Sequence, residues 1–426
     1  SNTGIGIGAL EQNTTASHNT GVGAGALNVN TTGASNTAVG SLALDANTTG
    51  DSNTALGVSV LGANTTGETN TAVGQNALST NVTANRSTAV GYEALKVSNV
   101  SGDTNASNTA VGFHAGTATT TGVADVFIGS QSGDANTTGS QNTGVGLGSL
   151  GSNTTADNNT AVGYQALTTS TTGANNVSVG SLALFSNTTG TTNTAVGKGA
   201  LNQNTTGGAN IAIGFESMRL TTTGSDNVSV GAECMEDNTT GANNVAMGYR
   251  ALRANTTGTS NTAIGYAALN VCTTGEQNVA VGTDSGDAVT TANFLTAIGR
   301  GSGGGITTGV GNTMLGYFTG NDTTVLTTGV NNVLIGAFTH TTAADSAKTI
   351  AIGYNVNGEE GYTTLGDAGD DIRAAHGNVT WATVSDERVK KDIKDSTAGL
   401  NFINDLKPRT FKYKNKGDLP TEFTGY

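Results

Sequence analysis

Along this chain a short apolar run closed by a glycine returns every 17 residues. The closing glycine falls at Gly6, Gly23, Gly40, Gly57, Gly74 and Gly91, then after a gap of 21 at Gly112. The 17-residue step holds from there to Gly316, and a gap of 20 leads to Gly336 and then Gly353, which makes 21 copies. The unit reads N-T-A-V-G-x-x-A-L-x-x-N-T-T-G-x-x, and Asn36–Ser52 is a clear copy. Self-similarity at such a fixed period is the mark of a solenoid, in which each unit buries its apolar side only against its neighbours. The pattern therefore predicts an all-β fold, a β-solenoid (β-roll or β-helix) of about 21 coils over residues 1–366. Stacked at strand spacing, the coils give a rod roughly 100 Å long.

Within the unit, positions 2 and 4 carry Thr, Val or Ile and then Val, Ile or Leu, as in Val177 with Val179 and Ile211 with Ile213. Residues two apart share one strand face. This face is read as the apolar one, joined inside the coil by the Leu of position 9. The opposite face of Asn, Ala and Gly is read as smooth and open to close approach by another chain. Five copies put Gly in place of the Leu, among them Gly116, Gly133 and Gly286, and these coils are expected to be thinner or bent. The Thr-Thr-Gly that follows reads as a turn, with Gly supplying a positive φ. Position 1 is Asn in 17 of the 21 copies. In stacked coils these amides are expected to hydrogen-bond in a ladder.

Composition narrows the class. With 63 Gly, 2 Pro and 12% charged residues, the chain has neither the proline nor the dense charge of a disordered one. So thin a core calls for help from oligomerisation, and a homotrimer is expected. Residues 1–372 carry net charge −16 and residues 373–426 carry +3, which sum to −13. A negative shaft repels phosphate backbones, so nucleic acid is not an expected partner. No apolar run is long enough to span a membrane. The chain opens in mid-repeat at Ser1, which reads as a piece of something longer. Cys234 and Cys272 lie about two coils apart, too far for an unstrained disulfide, and read as packing residues.

Several motifs are decoys. The NTT triplets match an N-glycosylation acceptor, but a chain rich in Asn and Thr produces them by arithmetic. Gly301–Gly305 has no Lys-Ser/Thr after it, so it is no phosphate loop. Asp367, Asp370 and Asp371 do not have the spacing of a calcium loop and read as a solvated segment, so neither metal nor cofactor is expected. An ice-binding plane is the minor alternative raised by the Thr rows. It is disfavoured because the strand Thr exchanges with Val and Ile (Thr160, Val177, Thr194, Ile211), which suggests a semi-buried site. A polysaccharide-cleaving enzyme usually has paired carboxylates and aromatic platforms, and the repeats hold no Trp and few clustered acids.

After a transition over 367–384 the composition changes. Trp381, both prolines and most Lys and Arg follow the repeats. Ser396–Leu406 reads as a short helix and Thr410–Lys414 as a strand, a small α+β segment. Residues 385–393, SDERVKKDI, followed by LKPRTFKYK at 406–414, resemble the start of the endosialidase-type intramolecular chaperone of phage tail spikes and fibres. The resemblance covers 385–426. The family's domain continues into a Gly-aromatic-x-Ala-Gln-Glu-like motif, and this sequence stops at Thr424-Gly425-Tyr426, so the chaperone is read as incomplete. The resemblance implies a trimerising clamp that cuts itself off, with Ser385 and Lys390 as a catalytic dyad and Ser385–Asp386 as the bond cut. A Lys can activate a serine hydroxyl when desolvation lowers its pKa.

The resemblance further implies a virion tail or extracellular location. The expected partners are the chain's own copies and a host surface receptor, glycan or protein. The repeats alone look loosely like the head repeats of trimeric autotransporter adhesins, which makes a bacterial surface adhesin the alternative.

Overall fold

A computed structural model describes residues 1–100 and 105–377, with the backbone of the short strand Ala382–Thr383. Each repeat supplies one three-residue strand, from Thr3–Ile5 and Thr20–Val22 to Val333–Ile335. Successive strands pair in parallel and in register, Thr37 with Thr54 and Val39 with Leu56. The described residues form an all-β solenoid of about 21 turns with the 17-residue period. The two irregular gaps do not break the stack. Thr88–Val90 pairs with Thr109–Val111, and Thr313–Leu315 with Val333–Ile335, while the extra residues near Asn321 and Val325 form a small antiparallel bridge. At the far end Tyr362–Asp367 adds a last parallel strand, and Ile372–Ala375 folds back on it antiparallel. The chain divides into two units, 1–382 and 383–426. The expected helix at Ser396–Leu406 and strand at Thr410–Lys414 lie outside the described residues.

The faces of the strand are the reverse of the sequence expectation. Ala38, Ala55, Ala72 and their counterparts at position 3 are fully buried, as are Asn36, Asn53 and Asn70 at position 1. The side chains of positions 2 and 4 point outward instead, with Leu56 48%, Ile128 41% and Met247 43% exposed. The reason is space. A coil of 17 residues closes on so narrow an interior that two Ala and one Leu fill it, as with Ala38, Ala43 and Leu44. A second row of β-branched chains does not fit at native packing density. The strand Thr therefore lies on the outer face and is half-buried there in most coils, as at Thr160 and Thr194. Its row is interrupted by Val126, Val177, Ile211, Val228 and Val245, so it is not a continuous hydroxyl plane.

The Gly-for-Leu coils are not thinned. At Gly116 and Gly133 the vacated space is taken by Phe127, which replaces the usual Ala at position 3 and is fully buried. A Cβ on Gly116 would stand 2.9 Å from its Cδ2. Leu295 similarly occupies the space beside Gly286 and Gly303, and Met314 the space beside Gly303 and Gly320. Size is conserved by exchange between neighbouring coils.

Two amide ladders line the interior. In the first, expected from the repeat, the backbone N–H of Asn53 donates to Oδ1 of Asn36 (2.9 Å), and the Nδ2 of Asn36 donates to the carbonyl of Gly50 (2.8 Å). The second is built from the Asn of NTTG. Nδ2 of Asn47 donates to Oδ1 of Asn30 (2.8 Å) and to the same Gly50 carbonyl (3.0 Å). Both amide rows thus converge on an inward carbonyl, which satisfies groups that are costly to bury unpaired. Where the second row changes to Ser170, Thr221 and Cys272, the Oδ1 atoms of Asn153, Asn204 and Asn255 lose their donor and stand unsatisfied. These NTT asparagines are 0–1% exposed from Asn30 to Asn255, which closes those sequons to any transferase acting on the folded chain.

The Thr-Thr-Gly glycine is required for a different reason from the one expected. It does not have a positive φ. A Cβ on Gly33 would lie 2.5 Å from the Gly50 carbonyl oxygen and 2.7 Å from Asn30 Oδ1. Positive φ falls elsewhere in the repeat, among other places at the coil-closing glycine (Gly40, φ 141), at position 7 (Gln131 φ 57) and at position 9, where the core leucines themselves adopt it (Leu27 φ 51, Leu44 φ 50). That conformation costs a non-glycine residue about 1–2 kcal/mol. Full burial of the Leu, worth about 1.5–3 kcal/mol, offsets it.

Candidate functional site

The residues assigned chemistry from sequence, Ser385, Asp386 and Lys390, lie outside the described residues. What the described solenoid does contain is three surfaces whose side chains the stack brings into line.

The first is the outward sheet face. It carries the apolar side chains of position 4, half-exposed in one row from Leu56 through Ile213, Ile264 and Leu315 to Ile352.

The second is the edge at positions 6 and 7, just beyond the closing glycine. Tyr92, Phe113, Tyr164, Phe215, Tyr249, Tyr266, Tyr317 and Tyr354 all occupy position 6 and all are exposed. Parallel stacking sets neighbours face to face or edge to face. Tyr92 and Phe113 lie 5.6 Å apart with planes 12° off parallel, and Tyr317, Phe338 and Tyr354 form an edge-to-face series. Arg300 lies over Tyr317 and Phe318. Sequence reasoning missed this edge. The signal is an aromatic recurring directly after the closing glycine, diluted by the Ile7, Ala24, Ser41 and Lys198 that share the position.

The third surface is formed by positions 7 and 10 beside that edge. In most coils it is filled by polar side chains. Glu236 is bracketed there by Arg219 (2.9 Å) and Arg253 (2.9 Å). Burial pushes its carboxyl up, but the two guanidinium groups outweigh that and hold it below the usual range. Glu93 is likewise held low by its hydrogen bond to Lys96. In the coil of Gly148 and Gly151 the side chains at both positions are missing. A notch of about 240 Å³ opens there, lined by Gln131, Asp134, Leu147, Ser152, Gln165 and Thr168 around the two glycines. Burial raises the Asp134 carboxyl above its ordinary range, and amide hydrogen bonds from its own backbone and from Ala135 partly oppose the rise.

No other chemistry assembles among the described residues. Among the described residues no three His, Cys, Asp or Glu side chains group to hold a metal ion, Asp367, Asp370 and Asp371 included. Cys234 and Cys272 are buried and unpaired, and burial pushes both thiols up to about 11, so they are poor nucleophiles. Among the described residues no helix is long and apolar enough to cross a membrane.

Compared with known proteins, residues 385–423 match the family described as chaperone of endosialidase. No curated protein and no solved structure matches the chain. The C-terminal segment is thus similar to an intramolecular chaperone, and it follows a β-solenoid shaft.

Proposed function

We propose that this chain is the shaft of a phage tail fibre or spike that takes part in host attachment, followed by a self-cleaving folding chaperone. The observation that carries this reading is the match at 385–423 placed after a repetitive β shaft. In this reading Lys390 takes the proton of the Ser385 hydroxyl, the hydroxyl oxygen attacks the carbonyl carbon of the Ser385–Asp386 peptide, the Asp386 amine leaves with that proton, and water hydrolyses the resulting ester to free the Ser385 carboxylate. Proximity comes at no entropic cost because catalyst and substrate are one chain. Mass spectrometry of the product of the full-length gene tests it. The wild-type shaft is expected to end at Ser385, and both Ser385→Ala and Lys390→Ala to leave the chain uncut. A wild type that remains uncut overturns the autoprotease.

The shaft is proposed to be a homotrimer, but through a different surface from the one the sequence suggested. The Ala and Asn face is interior, so the associating surface is the outward row of Val, Ile and Leu. A contiguous apolar row of this length exceeds what soluble monomers leave bare. Light scattering is expected to give three times the 42.2 kDa chain mass for residues 1–426. Val196→Lys with Ile213→Lys, both on that face, is expected to reduce it to one chain mass. A concentration-independent monomer in the wild type rejects the trimer.

A further inference from the structure

We propose that the notch over Gly148 and Gly151 is a binding site for one ring of a neutral glycan. The proposal deepens the attachment reading and rests on it for its biological role. Three features of the notch carry it.

The notch exists because two side chains are absent in register. Position 7 is Gln in the coils on either side (Gln131, Gln165), and position 10 is Asp134 and Thr168, whereas the coil between has Gly at both. Neither glycine is demanded by the backbone. Gly148 has φ 63, but Gln131 and Gln165 adopt 57 and 50 at the same position. Gly151 has no positive φ, and a Cβ there would meet only ordinary or slightly tight contacts, 3.2 Å to the Gly148 carbonyl and 3.6 Å to Asp134 Oδ1. This differs from the closing glycines, where a Cβ would run into the next coil.

The groups facing the space have hydrogen-bonding capacity to spare. Gln131, Ser152 and Gln165 make no side-chain hydrogen bond to any described residue. Thr168 donates its hydroxyl to the Gly148 carbonyl at 2.9 Å and keeps its acceptor capacity. Two amides, each both donor and acceptor, beside a carboxylate that accepts twice, match adjacent ring hydroxyls, which donate and accept in turn.

One rim is apolar. Leu147 is 48% exposed at position 6, and Tyr164, one coil on in the same row, is 51% exposed. An apolar side beside a few convergent polar groups is the general character of a small-molecule site, and a pyranose has one such apolar face. The net charge of −13 and the Asp134 carboxylate disfavour an acidic sugar.

The test uses the full chain and a filled notch. Gly148→Gln with Gly151→Thr copies the neighbouring coils and is expected to leave thermal stability unchanged. Titration calorimetry against glucose, galactose, mannose, rhamnose and N-acetylglucosamine is expected to show at least one binding at millimolar affinity, weakened tenfold or more in the filled variant. Asp134→Asn is expected to weaken the same sugar without closing the notch. No binding by any sugar of the panel, or equal binding by the filled variant, overturns the proposal. The attachment reading fails separately: a chain that binds the sugar in the notch yet does not compete for phage adsorption keeps the site and loses the role.

Discussion

Phe127→Ala is expected to destabilise the coils around it by about 3–5 kcal/mol, the range for removing a buried aromatic side chain. Phe127 is the largest fully buried side chain among the described residues, and it fills the space of two leucines at once. Gly116 and Gly133 lie against its ring from the two coils, and Gly144 replaces Ala at the next position 3, where a Cβ would come within 3.3 Å of its Cδ1. Removal leaves a cavity spanning both coils that rigid parallel pairing above and below prevents from collapsing. The backbone offers a direct rescue. Gly116 and Gly133 have φ 59 and 58, close to the values of the core leucines at the same position (Leu95 49, Leu150 55). Adding Gly116→Leu and Gly133→Leu to Phe127→Ala therefore restores the common repeat and is expected to recover most of the loss. Hydrogen exchange resolved by peptide should place the loss in residues 105–150, because stability in a solenoid is local to a coil and its neighbours. Unchanged protection in Phe127→Ala, or no recovery in the triple variant, contradicts this account of the core.

The period, the parallel stacking and the asparagine ladder were legible in the sequence because each depends only on what repeats. Which face points inward was not. Alternation at Thr37-Ala38-Val39 defines two faces but does not say which is core, and the usual assumption that the bulkier apolar face is buried fails when the coil is too narrow. The clue was the single Leu44 per repeat, since one Leu already fills most of such an interior. Leu44 itself sits in a left-handed conformation that no local preference predicts, because the fold imposes it and burial compensates. The exchange of Phe127 for two leucines was equally hidden, as it links residues from three copies that only stacking brings together. The notch at Gly148 and Gly151 was visible as a departure from the repeat, but its meaning needed the positions of Gln131, Asp134 and Gln165 around it. The proposed chemistry at Ser385 and Lys390 rests on nine residues beyond the repeats and owes nothing to the solenoid.

Asp125→Asn is expected to stabilise the shaft at alkaline pH and to do little in acid. Asp125 stands at position 1 of its coil, where most copies have Asn, and it is fully buried. It keeps the acceptor role of the ladder, receiving the Asn142 backbone N–H at Oδ1 (2.9 Å) and Asn136 Nδ2 at Oδ2 (3.2 Å). It lacks the donor that Asn108 and Asn142 direct to the carbonyl fourteen residues on. Burial pushes its pKa up to about 7, against the opposing hydrogen bonds from Asn142 and with some help from the charge of Asp157. The unfolded chain has this carboxyl near its ordinary 3.8. Below about pH 4 both states hold the proton and the group costs nothing. Between there and pH 7 the unfolded chain releases it first, so stability falls by about 1.4 kcal/mol per pH unit, to a total of about 4 kcal/mol. Above pH 7 both states are ionised and the deficit is constant. Asn carries no proton to lose and restores the missing donor. The difference in urea midpoint between Asp125→Asn and wild type, multiplied by the common slope, should therefore rise from near zero at pH 4 to a plateau above pH 7. Comparison at each pH removes the titration of every other carboxylate, which the two chains share. A difference that stays flat from pH 4 to pH 8 means that Asp125 is not held protonated in the ladder.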